Sequence, residues 1–133
     1  MEARVDMIGV FVSDMRAMVA FYRDVLGIEV DWDGQAPYAE CKMEGTRLSF
    51  YERRLLPELL GVTPSYPAGV NGTFEIAFDF PTPAALEEAF ARITAAGARA
   101  LYAPREEPWG MRSCYVLDPD GNMIELTSWN RGG

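Results

Sequence analysis

Apolar and polar residues alternate along Val5–Ser13. Ile8, Val10 and Val12 fall on one side and Met7, Gly9 and Phe11 on the other, the two-residue period of a β-strand. The period then changes. Asp14 stands where a helix N-cap belongs, and Met15, Met18, Val19, Tyr22, Val25 and Leu26 follow as one helical stripe that Gly27 ends. Ile28–Trp32, Tyr38–Met43 and Arg47–Glu52 read as further strands, joined by turns at Asp33-Gly34 and Glu44-Gly45. Leu55–Leu60 predicts a short helical turn, and Pro64–Gly72 a loop rich in Pro and Gly.

After that loop the pattern starts again. Thr73–Phe80 is a strand with Phe74, Ile76, Phe78 and Phe80 on one side. Thr82 caps a helix whose first position is Pro83, its stripe is Leu86, Ala89, Phe90 and Ile93, and Gly97 closes it. Arg99–Ala103, Arg112–Asp118 and Asn122–Trp129 complete the strands, with a last turn at Asp120-Gly121. Aligning Met7 with Glu75 brings Gly27 to within two residues of Gly97, and aligning Gly45 with Gly121 puts the final strands in register. The expectation is an α+β fold, strand–helix–strand–strand–strand twice over. It is a single domain over 1–133, with a first module over about 3–53, a connection over about 54–72 and a second module over about 73–130. Asn130–Gly133 reads as a disordered end.

Composition narrows the function classes. The 133 residues are 49% hydrophobic and 24% charged, the balance of a globular domain. A net charge of -8 and the lack of a basic patch argue against nucleic acid as a partner. No run approaches the ~20 apolar residues of a membrane span. The first residues show no basic segment leading into an apolar stretch, so no signal peptide is read. Cys41 and Cys114 are far apart and read as two free buried thiols, which with the rest points to the cytoplasm. The histidine count is zero, which removes the commonest transition-metal ligand and the commonest general base.

Two segments resemble a known family. Val12-Ser13-Asp14-Met15 followed by Phe21–Gly27 is similar to the first-helix signature of the glyoxalase/bleomycin-resistance/extradiol dioxygenase (vicinal oxygen chelate) superfamily. Tyr115–Leu126, with Asp118-Pro119-Asp120-Gly121-Asn122 at its centre, is similar to that family's last hairpin. The resemblance implies paired βαβββ modules in a cupped, mostly antiparallel sheet, with helices on the outer face and a ligand or metal in the cup. It also implies a homodimer, because many members build the cup from two chains. Activity is left open, since one fold hosts many chemistries.

Strand parity locates the cup lining independently. The faces carrying Ile8/Val10/Val12, Leu48/Phe50, Ile76/Phe78/Phe80 and Ile124/Leu126 are uniformly apolar and should lie under the helices. The opposite faces carry Met7/Gly9/Phe11, Arg47/Ser49/Tyr51, Glu75/Ala77/Asp79 and Met123/Glu125/Thr127, a mixture suited to a cavity. In metal-dependent relatives the ligands stand at the positions of Met7, Ser49, Glu75 and Glu125. A thioether, a hydroxyl and two carboxylates make a poor set, so no metal and no other cofactor is expected. Glu75 and Glu125 have three readings. Glu125 pairs with Arg47 or Arg112, or the two glutamates hold a cationic group of a ligand, or one of them has a raised pKa and serves as a general base. The expected ligand contacts are Phe11, Arg47, Ser49, Tyr51, Glu75, Trp109, Met123 and Glu125, with Trp109 stacking on an aromatic or cationic small molecule. Function reads as sequestration of that molecule in the manner of metal-free bleomycin-resistance proteins. The alternatives are a lyase, isomerase or dioxygenase-like enzyme using either a divalent metal or a glutamate base at Glu75 and Glu125, and a dimerising accessory module with a vestigial cup.

Overall fold

Asp14 ends the first strand and starts the first helix in the computed structural model, which describes residues 1–129. The backbone of Asp14 is extended (φ -141°, ψ 103°) and its carboxylate accepts the Ala17 N–H at 3.1 Å. That satisfies one of the N–H groups a helix start leaves without an intrahelical partner. The chain divides into two compact units, 1–66 and 67 onward. The expectation for Asn130–Gly133 lies outside the described residues.

In the first unit, β1 (Met7–Val12) leads into α1 (Met15–Ala20), which continues as a π-helical turn over Phe21–Val25. The Leu26 N–H reaches the Phe21 carbonyl at 2.9 Å, so the turn is one residue wider than α. The widened turn buries Phe21 and Tyr22 side by side, and Tyr22 meets Phe50 edge-on with ring centres 4.8 Å apart. β2 (Val30–Asp31) is shorter than the expected Ile28–Trp32. The Asp33 carboxylate accepts the N–H groups of Gln35 at 2.8 Å and Ala36 at 2.7 Å, and the Trp32 indole donates to the Ala36 carbonyl at 2.8 Å, so the turn takes those residues from the ladder. β3 (Tyr38–Cys41) and β4 (Arg47–Glu52) complete a sheet ordered β1-β4-β3-β2, with β1 parallel to β4 and the other pairs antiparallel. Val10, Val12, Met18, Val19, Tyr22, Leu48 and Phe50 form its core. Ile8 departs from the expectation and is 46% exposed, because β1 is an edge strand whose first half runs beyond the covered face. A 3-10 turn at Arg53–Leu55 then runs into α2 (Leu56–Leu60), which Leu56 anchors in the core.

The second unit repeats the order. β5 (Asn71–Asp79), α3 (Pro83–Ala95), β6 (Arg99–Glu107), β7 (Met111–Leu117) and β8 (Asn122–Trp129) give a sheet ordered β5-β8-β7-β6. Thr82 caps α3, its hydroxyl accepting the Ala85 N–H at 3.1 Å. β5 begins at Asn71 rather than Thr73. The Asn71 amide donates to Asn122 at 2.9 Å, and the Asn122 amide donates to Asp118 at 2.9 Å, a buried chain that fastens the strand start to the β7–β8 turn. Within that turn Gly121 has φ +80°, and a Cβ there would overlap the Gly69 carbonyl. β6 runs past the expected Ala103. As an edge strand it accommodates Pro104, which falls where the β6–β7 register shifts. Leu86, Ala89, Ile93, Cys114, Val116, Ile124 and Leu126 are buried, whereas Ile76, Phe78 and Phe80 are half-buried and Phe74 is exposed. The expected uniform burial of that face fails on β5, an edge strand whose register shifts between Asn71 and Glu75 and leaves Phe74 outside the ladder. Both units are open, mixed four-stranded sheets with helices, the expected α+β pair of βαβββ modules. No described helix is long and apolar enough to cross a membrane.

Candidate functional site

In the first unit, strand alternation turns Met7, Gly9 and Phe11 of β1, Tyr38 of β3, and Ser49 and Tyr51 of β4 to one face. Leu59 of α2 adds a wall, and these residues line a mainly apolar hollow of about 470 Å³. Gly9 lies beside Ser49 across the β1–β4 ladder, and its missing side chain keeps the floor open. The Tyr38 hydroxyl lies 3.1 Å from a Glu40 carboxylate oxygen and 3.6 Å from the Met7 sulfur, and it shares a hydrogen bond with the buried Ser49 hydroxyl. Burial first, then the Glu40 carboxylate, pushes the Tyr38 pKa up. Arg47 does not line the hollow. Its guanidinium meets Asp6 at 2.6 Å and Glu40 at 3.1 Å, and it holds the Asp6 carboxyl below its ordinary value.

In the second unit, Glu75 on β5, Tyr115 on β7 and Glu125 on β8 share a face. Tyr115 pairs with Glu125 in the β7–β8 ladder, while Glu75 pairs with Met123 and Ala77 with Glu125 in the β5–β8 ladder. The Tyr115 hydroxyl donates to the Glu75 carboxylate, at 3.1 and 3.2 Å from its two oxygens. Glu125 is hydrogen-bonded to Glu75, and its pKa rises from 4.5 to about 7. Burial is the main cause, followed by the Glu75 hydrogen bond and charge, with Tyr115 acting in the opposite sense. Glu125 therefore keeps its proton to near neutral pH, with the Glu75 side chain and the Tyr115 hydroxyl beside it. Within this unit Arg112 pairs with Glu87 rather than with Glu125. Trp109 sits in the β6–β7 turn, 62% exposed. That turn lies beyond Met111, four strand positions from Tyr115, or roughly 13 Å by strand rise. Trp32 lies under the Arg16 guanidinium, 5.3 Å from its ring centre, and Trp129 is exposed at the end of β8.

The sequence model of the Glyoxalase/Bleomycin resistance protein/Dioxygenase superfamily matches residues 4–126. The chain belongs to this superfamily. Among curated proteins it is similar to the uncharacterized protein YraH of Bacillus subtilis (strain 168), 24% identical over 122 residues, 90% of this chain and 93% of that protein. Among solved structures it resembles a glyoxalase/bleomycin resistance protein/dioxygenase from Nocardioides. That likeness has TM-score 0.83 and 25% identity, and covers 100% of this chain and 87% of the other. It also resembles a glyoxalase/bleomycin resistance protein/dioxygenase family enzyme from Burkholderia phytofirmans PsJN, with TM-score 0.82, 25% identity, and 96% and 100% of the two chains covered.

The residues at the superfamily's metal positions do not fit a divalent ion. Met7 offers a soft thioether beside the Tyr38 hydroxyl, and Ser49 a neutral hydroxyl already hydrogen-bonded to Tyr38. Glu125 keeps its proton up to about pH 7, and a metal there would have to displace it. Among the described residues no three His, Cys, Asp or Glu side chains gather as a ligand set. Sequence reasoning missed Tyr38, Leu59 and Tyr115. The turn at Asp118–Gly121 could have revealed Tyr115, because folding the hairpin there sets it opposite Glu125. Leu59 carries no such signal, since its position depends on how α2 is anchored.

Proposed function

We propose that this protein binds a small aromatic molecule in the hollow of its first module and sequesters it without chemical change, in the manner of metal-free bleomycin-resistance proteins. The observation that carries this reading is the lining itself. Met7 and Ser49, which stand where a metal centre would need ligands, are walls of a mainly apolar hollow of about 470 Å³, within the size range of small-molecule sites. Phe11 and Tyr51 supply flat contact area on facing strands. A drug-sequestering role in the cytoplasm is consistent with two buried free cysteines. A homodimer is part of the same proposal, supported by the exposed apolar residues Ile8 and Phe74 on the edge strands. Equilibrium dialysis against a panel of fused-ring aromatics tests sequestration. Stoichiometric uptake with the compound recovered unchanged is expected, and turnover of a bound compound refutes it. Sedimentation that finds only monomer at micromolar concentration removes the dimer.

The second module favours a second reading. Glu125, with a pKa near 7 and Glu75 and Tyr115 beside it, has the poise of a general acid or base for a metal-free isomerase or lyase. A turnover lost in Glu125→Gln would establish that reading over simple sequestration. Trp109 and Met123 belong to it as candidate contacts, Met123 through its place beside Glu75 in the ladder.

A further inference from the structure

The polar atoms in the first-module hollow carry information about the ligand. Tyr38 has one proton and two acceptors within reach. The Glu40 carboxylate at 3.1 Å is charged and nearer than the Met7 thioether at 3.6 Å, so the proton goes to Glu40. Glu40 is in turn held by Arg47, and Arg47 by Asp6. The Ser49 hydroxyl lines the hollow as well and, as a rotor, serves either polarity. The Tyr38 proton is thereby used on Glu40, away from any ligand. What remains toward the hollow is a lone pair on the Tyr38 oxygen and the Met7 sulfur, both acceptors. Tyr51 adds a hydroxyl rotor, which serves either polarity and does not discriminate.

We propose that this hollow selects a neutral, planar aromatic molecule carrying a hydrogen-bond donor, a phenol-type hydroxyl or a ring N–H, which it presents to the Tyr38 oxygen. The proposal rests on the small-molecule reading above and names the ligand class for the same site. A molecule offering only a carbonyl there faces an acceptor with an acceptor and leaves a desolvated polar group unpaired. A carboxylate faces the same mismatch with an added charge.

The test is a titration of three probes, 2-naphthol, 2-acetylnaphthalene and 2-naphthoate, against the whole chain at neutral pH, followed by probe fluorescence. 2-Naphthol should bind most tightly, 2-acetylnaphthalene roughly fivefold more weakly, and 2-naphthoate weakest. Tyr38→Phe should erase the difference between the two neutral probes by weakening 2-naphthol alone. Glu40→Leu should release the Tyr38 proton toward the hollow and shift the preference toward 2-acetylnaphthalene, while Arg47 keeps Asp6. Equal binding of the two neutral probes to the natural chain, or a preference for 2-acetylnaphthalene, overturns the donor rule and leaves the small-molecule reading standing. Failure of all three to bind removes both. An unchanged 2-naphthol preference in Tyr38→Phe also overturns the rule, because the selecting atom is then elsewhere.

Discussion

Replacing Glu125 with Gln separates the burial of a carboxyl from the burial of a charge. The folded carboxyl has a pKa raised from 4.5 to about 7, so the native state holds a proton that the unfolded state releases. The stabilisation is therefore complete below about 4.5 and is lost as pH rises through about 7. The pKa difference corresponds to roughly 3 kcal/mol at full strength. Glu125 is only partly buried, and solvent screening reduces this to about 1–2 kcal/mol. Glu125→Gln keeps a neutral group of the same shape at every pH, so nothing is lost at that position as the pH rises. The variant should match the natural chain in urea unfolding at about pH 4 and exceed it by that amount at about pH 8.5. A stability difference between the two proteins that does not change with pH would refute the raised pKa of Glu125.

Other perturbations test the frame and the hollow. Gly121→Ala places a side chain at φ +80° against the Gly69 carbonyl and should cost about 3 kcal/mol or more, seen as a lower thermal midpoint. Gly9→Val fills the floor of the hollow, since even a Cβ at Gly9 lies 3.6 Å from the Ser49 hydroxyl oxygen. Binding of 2-naphthol should fall about tenfold or more while unfolding stays within ~1 kcal/mol of the natural chain. Burial pushes the thiols of Cys41 and Cys114 up to about 12, so neither should react with a disulfide reagent at neutral pH until the chain is unfolded in urea.

The sequence was most informative where local chemistry alone decides the backbone. Asp14 and Thr82 cap their helices as expected because the cap is made with an N–H three residues away. The bounds of β4 and β8 match because turns and apolar alternation agree there. It was least informative where a distant partner decides. Asn71 joins β5 through a side chain on β8, 51 residues later. The π-turn at Phe21–Val25 exists because two aromatic residues enter one core, and the helical stripe had placed only Tyr22 there. Ile8 and Phe74 sit in apolar alternation but on sheet edges, and alternation does not reveal which strand is an edge. The same limit governs the site. Parity found Met7, Gly9, Phe11, Ser49 and Tyr51 because each lies in a strand with clear alternation, while Tyr38 required the β3–β4 register and Leu59 the tertiary path of α2.

The Asn71-Gly72 step has a consequence for how the protein ages. Asparagine followed by glycine is the sequence most prone to spontaneous deamidation, because the next backbone nitrogen attacks the side-chain amide and no side chain obstructs it. Here that amide is immobilised. Its nitrogen is donated to Asn122, and its oxygen accepts the Thr73 N–H at 3.1 Å and hydroxyl at 2.6 Å. The folded chain thus shields its most labile bond, and damage should accumulate in molecules that have opened. An isoaspartate at this position would put a charge and an extra backbone atom where β5 is fastened to the β7–β8 turn. Refolding would then be blocked, turning a transient opening into a permanent loss.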